Sequence, residues 1–171
     1  AVANQGPMVE AGCLHNLKFV LRSKSIDVQR EAVRGIANIS AEYAYAPMIV
    51  SAGTLAALVA VMSSPDFLCQ RYAAMGIGNL ATNTANQKAI LQEGALPALF
   101  SLVKFENGDL ESQRYACFAL TNLVATTENH RQMVEQSIIS IFWQLVDHQD
   151  AELRSSALLG IANLAVNPNN H

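Results

Sequence analysis

One twelve-residue pattern occurs four times in this chain, and its spacing constrains the fold more than any other feature. The copies occupy residues 29–40, 70–81, 113–124 and 154–165, and the tenth residue of each copy is asparagine. These asparagines are separated by 41, 43 and 41 residues, and they are Asn38, Asn79, Asn122 and Asn163. A period near forty residues indicates a helical repeat array. Because a unit of this size cannot bury a core alone, the copies are expected to stack and share one.

The composition supports a folded chain with a packed core. Of the 171 residues, 51% are apolar and only 15% are charged, which favours burial over disorder. The net charge of −3 is too small to indicate nucleic acid or an anionic membrane. Neither a signal peptide nor a run of about 18 apolar residues is present, so no transmembrane segment is predicted. The three cysteines are odd in number and lack metal-ligand spacing, which favours reduced core thiols and an intracellular protein, cytoplasmic or nuclear.

The alignment of the copies extends over whole units. The predicted units are 4–44, 45–85, 86–128 and 129–169, and together they form a single solenoid segment covering 1–171. Neither end carries a polar cap, so we expect the segment to belong to a longer array and its ends to be capable of self-association.

Each unit is predicted to contain three helices, which makes the fold class all-α. A short first helix ends at Gly12, Gly53 or Gly94, and Ser137 replaces this glycine in the fourth unit. A second helix and a polar loop follow, and the third helix is about fifteen residues long. Its predicted N-caps are Ser25, Asp66, Asp109 and Asp150.

These features together resemble the armadillo repeat. The resemblance rests on the three-helix unit, on the glycine that closes the first helix, and on a third helix ending in Ala-x-x-x-Ile-x-Asn-Leu-Ala. It covers all four units. It implies a right-handed α–α superhelix whose third helices line a concave groove, and relatives bind extended peptide segments there. The repeated asparagine is implied to clamp the peptide backbone, which assigns this role to Asn38, Asn79, Asn122 and Asn163.

A carboxamide suits that role, since it offers a donor and an acceptor to each peptide unit that passes. The alternative is that these asparagines satisfy the backbone of neighbouring repeats. Asparagine is otherwise unfavourable inside a helix, which favours the groove-facing interpretation.

The chain departs from importin-α-like members of this family. Those members carry Trp four residues before the asparagine, whereas this position holds Arg34, Met75, Phe118 and Leu159. The single tryptophan, Trp143, lies in a second helix and is predicted to be core or convex surface. The resemblance is therefore closer to β-catenin and to vacuolar-inheritance armadillo scaffolds than to importin-α.

The remaining groove positions predict the side chains that a bound segment would carry. Arg30, Arg71 and Arg114 form a row at the groove edge, while Tyr72 and Tyr115 lie on the groove face with Met75 and Phe118. Because arginine forks to carboxylates, an acidic and apolar peptide is the predicted partner. Alternatively, these arginines form a solvated edge or ion pairs within the repeats.

Enzyme chemistry is not indicated. Gly76 and Gly78 lie inside a predicted helix without a preceding strand, so no phosphate loop is present. The histidines show no metal or catalytic spacing, and they are His15, His130, His148 and His171. We therefore predict no cofactor, metal or small-molecule substrate. An RNA-binding solenoid that stacks bases on Tyr72 and Tyr115 is the second alternative, and a purely structural segment is the third.

Overall fold

The computed structural model describes residues 5–10, 12–104 and 108–168. Over those ranges the chain forms twelve α-helices and no strand. The first helices of the units are α1 (Gln5–Glu10), α4 (Ala46–Ser51), α7 (Thr84–Gln92) and α10 (His130–Glu135). The second helices are α2 (Cys13–Val20), α5 (Leu55–Val61), α8 (Ala95–Lys104) and α11 (Ile138–Leu145). The third helices are α3 (Ile26–Ser40), α6 (Phe67–Ala81), α9 (Leu110–Leu123) and α12 (Ala151–Ala165).

This order confirms the prediction of an all-α fold with three helices per unit. Short 3₁₀ turns at Tyr43–Tyr45 and Thr127–Asn129 lead into α4 and α10. Residues 4 and 169, at the ends of the predicted outer units, lie outside the described residues, as do residues 1–3, 11, 105–107 and 170–171.

The turn between the first and second helices is the same in all four units. Gly12, Gly53 and Gly94 adopt φ angles of 78°, 73° and 75°, as a glycine stop requires. Ser137 occupies the same position with φ 71°, so the fourth unit keeps the turn although the glycine is lost. The left-handed conformation is therefore fixed by the repeat, because it persists where a side chain disfavours it.

The third helices form the spine of the molecule. Each packs against the third helix of the next unit, and each second helix packs on the third helix of its own unit. The residues two positions before the asparagines in the first three units, Ile36, Ile77 and Leu120, are completely buried. Small residues permit the close approach of these helices, and Ala32, Ala73, Ala116 and Ala157 are all buried.

A matched pair of residues packs α11 on α12 in the fourth unit. Phe142 is fully buried, and a Cβ atom added at Gly160 would lie 2.4 Å from its ring. Gly35, at the equivalent position of the first unit, has no atom within 4 Å of such a Cβ. The fourth unit therefore combines a larger second-helix residue with the smallest possible residue on the third helix.

An arginine–aspartate ladder joins consecutive units. We use this name for Arg30–Asp66, Arg71–Asp109 and Arg114–Asp150, each of which links the third helix of one unit to the N-cap of the next third helix. All three pairs are bidentate, and the shorter contacts are 2.7 Å for Arg30–Asp66 and 2.6 Å for Arg114–Asp150.

The aspartates of the ladder also cap their own helices. Their carboxylates accept the backbone N–H groups of Cys69, Ser112 and Leu153 at 2.8, 2.8 and 3.0 Å. The predicted caps are thus confirmed at Asp66, Asp109 and Asp150. Ser25 occupies the N-cap position of α3, but its side chain makes no capping hydrogen bond.

Buried polar side chains in or just before the first helices bond the ends of the third helices on both sides. Gln87 Nε2 donates to the carbonyl oxygens of Ala81 at 2.9 Å and Asn122 at 3.0 Å. Asn129 Nδ2 donates to Gln87 Oε1 and to the Leu123 carbonyl oxygen. These contacts satisfy carbonyl groups that a helix end leaves without a partner.

No single helix within the described ranges is long and apolar enough to cross a membrane. The segments Tyr43–Ser51 and Leu55–Val61 reach a sufficient length and apolar content only when they are taken together, and the angle between them is 96°.

The glycine pair yields a stability prediction. Gly160→Ala should destabilise the protein by about 1–3 kcal/mol, because the buried Phe142 ring cannot move away from the added methyl group. Gly35→Ala should instead stabilise it by roughly 0.5–1 kcal/mol, because α3 gains helix propensity without a clash. Urea unfolding of both variants measures the difference. Equal effects at the two positions would contradict this account of the packing.

The ladder yields a prediction about how the free energy of unfolding depends on pH. Its arginine holds the pKa of Asp66 at about 2, below the ordinary 3.8, so the folded protein binds this proton more weakly than the unfolded chain. The stabilisation by Arg30 is therefore fully present above the ordinary pKa and is lost as the pH falls towards about 2. We expect Arg30→Gln to lower the free energy of unfolding at pH 6, with the difference from wild type shrinking on acidification.

Arg34→Gln is the matched control for that experiment, since Arg34 lies on the same helix in an exposed pair with Glu31. Its effect should be small at every pH. A constant difference between wild type and Arg30→Gln from pH 6 to 2 would refute the linkage.

Candidate peptide-binding face

One stripe of each third helix faces away from the core. At 100° per residue, the positions 4, 7 and 11 residues before the asparagine lie within about 40° of it around the helix. On α6 these residues are Leu68, Tyr72, Met75 and Asn79, all partly exposed. The residues between them on the other sides of the helix, such as Ala73 and Ile77, are buried.

The stripes of the four third helices lie side by side, because the third helices pack in chain order. We call the combined surface the third-helix face, and it consists of Asp27, Glu31, Arg34, Asn38, Leu68, Tyr72, Met75, Asn79, Glu111, Tyr115, Phe118, Asn122, Glu152, Ser156, Leu159 and Asn163. The structure thus brings together the four asparagines and the predicted residues Arg34, Tyr72, Met75, Tyr115 and Phe118.

Sequence reasoning missed the row eleven residues before the asparagine. That row holds Asp27, Leu68, Glu111 and Glu152, and three of its four members are acidic. The signal was present in the sequence, since the helical arithmetic that selected the other rows also selects this one.

The asparagines of the two middle units make contact with the preceding third helix. Asn79 Nδ2 donates to Ser40 Oγ at 3.1 Å and to the Ala37 carbonyl oxygen at 3.4 Å. Asn122 Nδ2 donates to the Gly78 carbonyl oxygen at 3.3 Å. The donor side of each amide is therefore used within the solenoid, as the alternative interpretation of the sequence expects.

The acceptor side of these two amides is not used in the same way. Asn79 and Asn122 are both half-buried, and no described residue donates a hydrogen bond to their Oδ1 atoms. The bond through Nδ2 fixes the amide plane relative to the helices, so each Oδ1 is a positioned acceptor. The two amides repeat this arrangement on neighbouring helices.

The three predicted edge arginines, Arg30, Arg71 and Arg114, are committed to the ladder. The guanidinium groups are the main cause of the low pKa of the three aspartates, which is about 2 for Asp66 and Asp150. Conversely, the carboxylates raise the pKa of all three arginines. These arginine charges are therefore compensated inside the repeat array, as the ion-pair alternative expects, although the pairs form between units.

Among the described residues of the third-helix face and the ladder, the net charge is negative. Arg34 is the only cation on the third-helix face, and its Nη2 lies 2.5 Å from Glu31. Asp27 and Glu111 also contact ladder arginines, at 3.1 and 2.7 Å, and Glu152 lies 3.4 Å from Arg114. Four carboxylates thus share the surface with a single arginine once the ladder pairs cancel.

The third-helix face also carries exposed apolar side chains. The Phe118 side chain is 38% exposed, and its ring lies over α6 where Gly78 has no side chain. A Cβ atom at Gly78 would lie 2.7 Å from that ring. The missing methyl group lets the Phe118 ring approach α6 closely, and Phe118 occupies the same position of its unit as Met75 and Leu159.

The other candidate residues have structural roles. Among the described residues no group of three potential metal ligands occurs. His130 lies 2.7 Å from the Val124 carbonyl oxygen, and His148 Nδ1 accepts the Asp150 N–H. Burial raises the pKa of the Cys69 thiol to about 11 and that of Cys117 to about 12, which makes both poor nucleophiles. Trp143 lies on the surface of α11, and 68% of it is exposed.

Comparison with known proteins shows what this chain is similar to. A model of the armadillo/beta-catenin-like repeat matches residues 83–125, which correspond to the third unit. No curated protein sequence matches the chain.

Solved structures match over nearly the whole chain. A computationally designed armadillo repeat protein for modular peptide recognition is 28% identical, with a TM-score of 0.92 over 98% of this chain and 71% of the other. A designed armadillo repeat protein in complex with the peptide (KR)4 is 27% identical, with a TM-score of 0.88 over 94% and 68%. An engineered protein is 28% identical, with a TM-score of 0.90 over 97% and 68%. The chain therefore has the fold of these designed armadillo repeat proteins, and its residues 83–125 are similar to the armadillo/beta-catenin-like repeat.

Proposed function

We propose that this protein is a non-catalytic scaffold that binds an extended peptide along its third-helix face. The observation that carries the proposal is the repeated amide, with Nδ2 bonded to the preceding helix and Oδ1 unengaged at Asn79 and Asn122. A designed armadillo repeat protein built for modular peptide recognition has the same fold, which supports the proposal.

The amides are suited to grip a backbone. Packed helices lie about 8–10 Å apart, and an extended chain advances roughly 3.3 Å per residue. If a peptide crosses the third helices, neighbouring amides would therefore face residues two or three apart along it. Each Oδ1 could accept one peptide N–H group. Because the backbone is common to all peptides, this row supplies affinity without sequence selection.

Selection falls to the other rows of the third-helix face. The acidic peptide expected from the sequence depends on uncompensated arginines, and the ladder compensates Arg30, Arg71 and Arg114. The carboxylates of Glu31, Glu111 and Glu152 remain at the surface. We therefore propose that the bound segment carries cationic side chains interspersed with apolar ones, the latter resting near Met75 and Phe118.

The same charge distribution disfavours the nucleic-acid alternative. Tyr72 and Tyr115 lie on the third-helix face and offer aromatic rings for stacking. However, binding to a phosphate backbone needs uncompensated Lys or Arg, and this face presents more carboxylates than cations.

Two eight-residue peptides test the charge of the ligand. We expect (KL)4 to bind at least about tenfold more tightly than (EL)4, a difference of roughly 1.4 kcal/mol. Fluorescence anisotropy at constant salt measures both affinities. The triple variant Glu31→Gln, Glu111→Gln, Glu152→Gln should reduce the preference, and equal or reversed affinities in the wild type would rule out a cationic ligand.

A second prediction concerns the amides. Replacing Asn79 and Asn122 together by Ala should weaken (KL)4 binding by about 1–3 kcal/mol through lost hydrogen bonds. Since both amides also bond the preceding helix, the free energy of unfolding should fall by roughly 0.5–1.5 kcal/mol per site. Asn16→Ala, at an exposed asparagine of α2, is the control and should change neither quantity. Unchanged peptide affinity in the folded double variant would exclude the asparagines from the site.

A further inference from the structure

The first residue of the third helix is large, apolar and exposed in three consecutive units. Ile26, Phe67 and Leu110 begin α3, α6 and α9, and they are 36%, 46% and 40% exposed. The fourth unit has the small residue Ala151 at this position. We call Ile26, Phe67 and Leu110 the apolar edge row.

The exposure of this row does not come from a missing neighbour. Helix α6 packs between α3 and α9, and α9 packs between α6 and α12, so Phe67 and Leu110 have a third helix on either side. Both residues are nevertheless more exposed than Ile26. The stacked units therefore leave this position open to solvent.

Folding does not account for the choice of residue at this position. The first turn of a helix favours acidic side chains, and an apolar side chain that stays exposed gains only part of the free energy of burial. Single apolar residues are common on protein surfaces, but here the same exposed position is apolar in three neighbouring units. A row that recurs in register indicates a surface for a partner.

The apolar edge row is separate from the asparagines of the proposed peptide site. Each of its residues stands twelve positions before the asparagine of the same helix. That distance is about 18 Å along the helix axis, with a rotation of roughly 120° around it. The two rows therefore run side by side across the third helices.

The chemistry of the row favours a partner that pairs its own backbone groups. Its three side chains offer no hydrogen-bonding group, whereas Asn79 and Asn122 each offer an Oδ1 acceptor. The neighbouring carboxylates of Asp66 and Asp109 are already bonded to arginines and to backbone N–H groups. An extended segment along this row would leave backbone groups unpaired, but an α-helix pairs them internally.

The spacing of the row matches the repeat of a helix. Packed helices lie about 8–10 Å apart, and a helix advances about 10.5 Å over seven residues. Apolar residues one heptad apart on a partner helix would therefore contact Ile26, Phe67 and Leu110 in turn.

Charged groups beside the row determine the charge of the partner. Asp27 and Glu111 directly follow Ile26 and Leu110, and their side chains are 89% and 41% exposed. Both carboxylates contact ladder arginines whose charge an N-cap aspartate already neutralises. The surface next to the row is therefore acidic, so Lys or Arg on one flank of a partner helix would pair with it.

A crevice beside Ile26 offers a place for an anchoring side chain. It has a volume of about 300 Å³ and opens between units one and two. Leu21 and Ile26 of unit one and Ala57 and Val61 of unit two are among its lining residues. Because these residues contribute apolar surface, the crevice can receive an apolar side chain from one end of the partner.

We propose that the apolar edge row binds an amphipathic α-helix of another protein, with apolar residues one heptad apart and Lys or Arg on one flank. This site is additional to the asparagine row and does not depend on it. The protein would thus hold an extended segment on its asparagines and a helical segment at the start of its third helices.

A synthetic amphipathic helix tests the proposal. The peptide (LKAQLKQ)3 carries leucines along one face and lysines on one flank, and fluorescence anisotropy measures its affinity for the 171-residue chain. We expect the double variant Phe67→Ser, Leu110→Ser to bind it at least about tenfold more weakly than the wild type. Phe19→Ser is the matched control, because Phe19 is 58% exposed on α2, outside the row. This variant should bind like the wild type.

Two altered peptides test the helix and its charge. The peptide (LKAQLKQ)(LKAPLKQ)(LKAQLKQ) has a proline in its central heptad, which breaks a helix but permits an extended segment. The peptide (LEAQLEQ)3 has glutamate in place of every lysine. We expect each to bind the wild type at least about tenfold more weakly than (LKAQLKQ)3. Circular dichroism confirms that the protein variants are folded.

Four results would overturn the proposal. A wild type that does not bind (LKAQLKQ)3 would show that the row does not receive a helix of this chemistry. Full affinity in the double variant would place the contact elsewhere. Equal binding of the proline peptide would assign the surface to an extended segment, and equal binding of (LEAQLEQ)3 would exclude a cationic partner.

Discussion

The structure depends on a carboxylate that serves two helices at once. Asp66 accepts a backbone N–H at the start of its own helix. It also accepts two hydrogen bonds from the guanidinium group of Arg30 in the preceding unit. Asp109 and Asp150 repeat the arrangement. Since one side chain both starts a helix and fixes that helix against its neighbour, the four third helices keep a constant register. That register places the asparagines in a row.

The same contact decides the electrostatics of the third-helix face. The three ladder arginines would otherwise attract acidic ligands, but the N-cap aspartates neutralise their charges. The carboxylates in the row eleven residues before the asparagines stay at the surface of the third-helix face. The architecture and the proposed ligand are therefore linked, because the charges that join the units are withdrawn from recognition. In the proposed complex, recognition would fall to residues that differ from unit to unit, such as Arg34, Met75 and Phe118.

Much of the fold follows from the sequence, because its signals are local. Period, glycine stops, aspartate caps and the direction of each side chain around its helix all depend on residues within a few turns. The pairing of Arg30 with Asp66 spans 36 residues, and the bond from Asn79 to Ser40 spans 39. The rotation of 100° per residue gives the direction in which Asn79 points from its own helix. It does not show which residue of α3 the Asn79 side chain contacts. For this reason the sequence predicts the direction of the face, whereas it leaves two uses open for the arginines and two for the amide donors.

Repetition also makes each unit a control for the others. A position buried in three units and exposed in the fourth reports the absence of a neighbour, whereas a position exposed in all four reports a surface that the fold leaves to solvent. By this comparison Leu158 and Leu159, adjacent and almost equally exposed, belong to different surfaces. The first lies where the repeat expects another unit, and the second lies where no unit covers its equivalents. Exposure alone does not separate a stacking face from a binding face, but exposure compared across equivalent positions does.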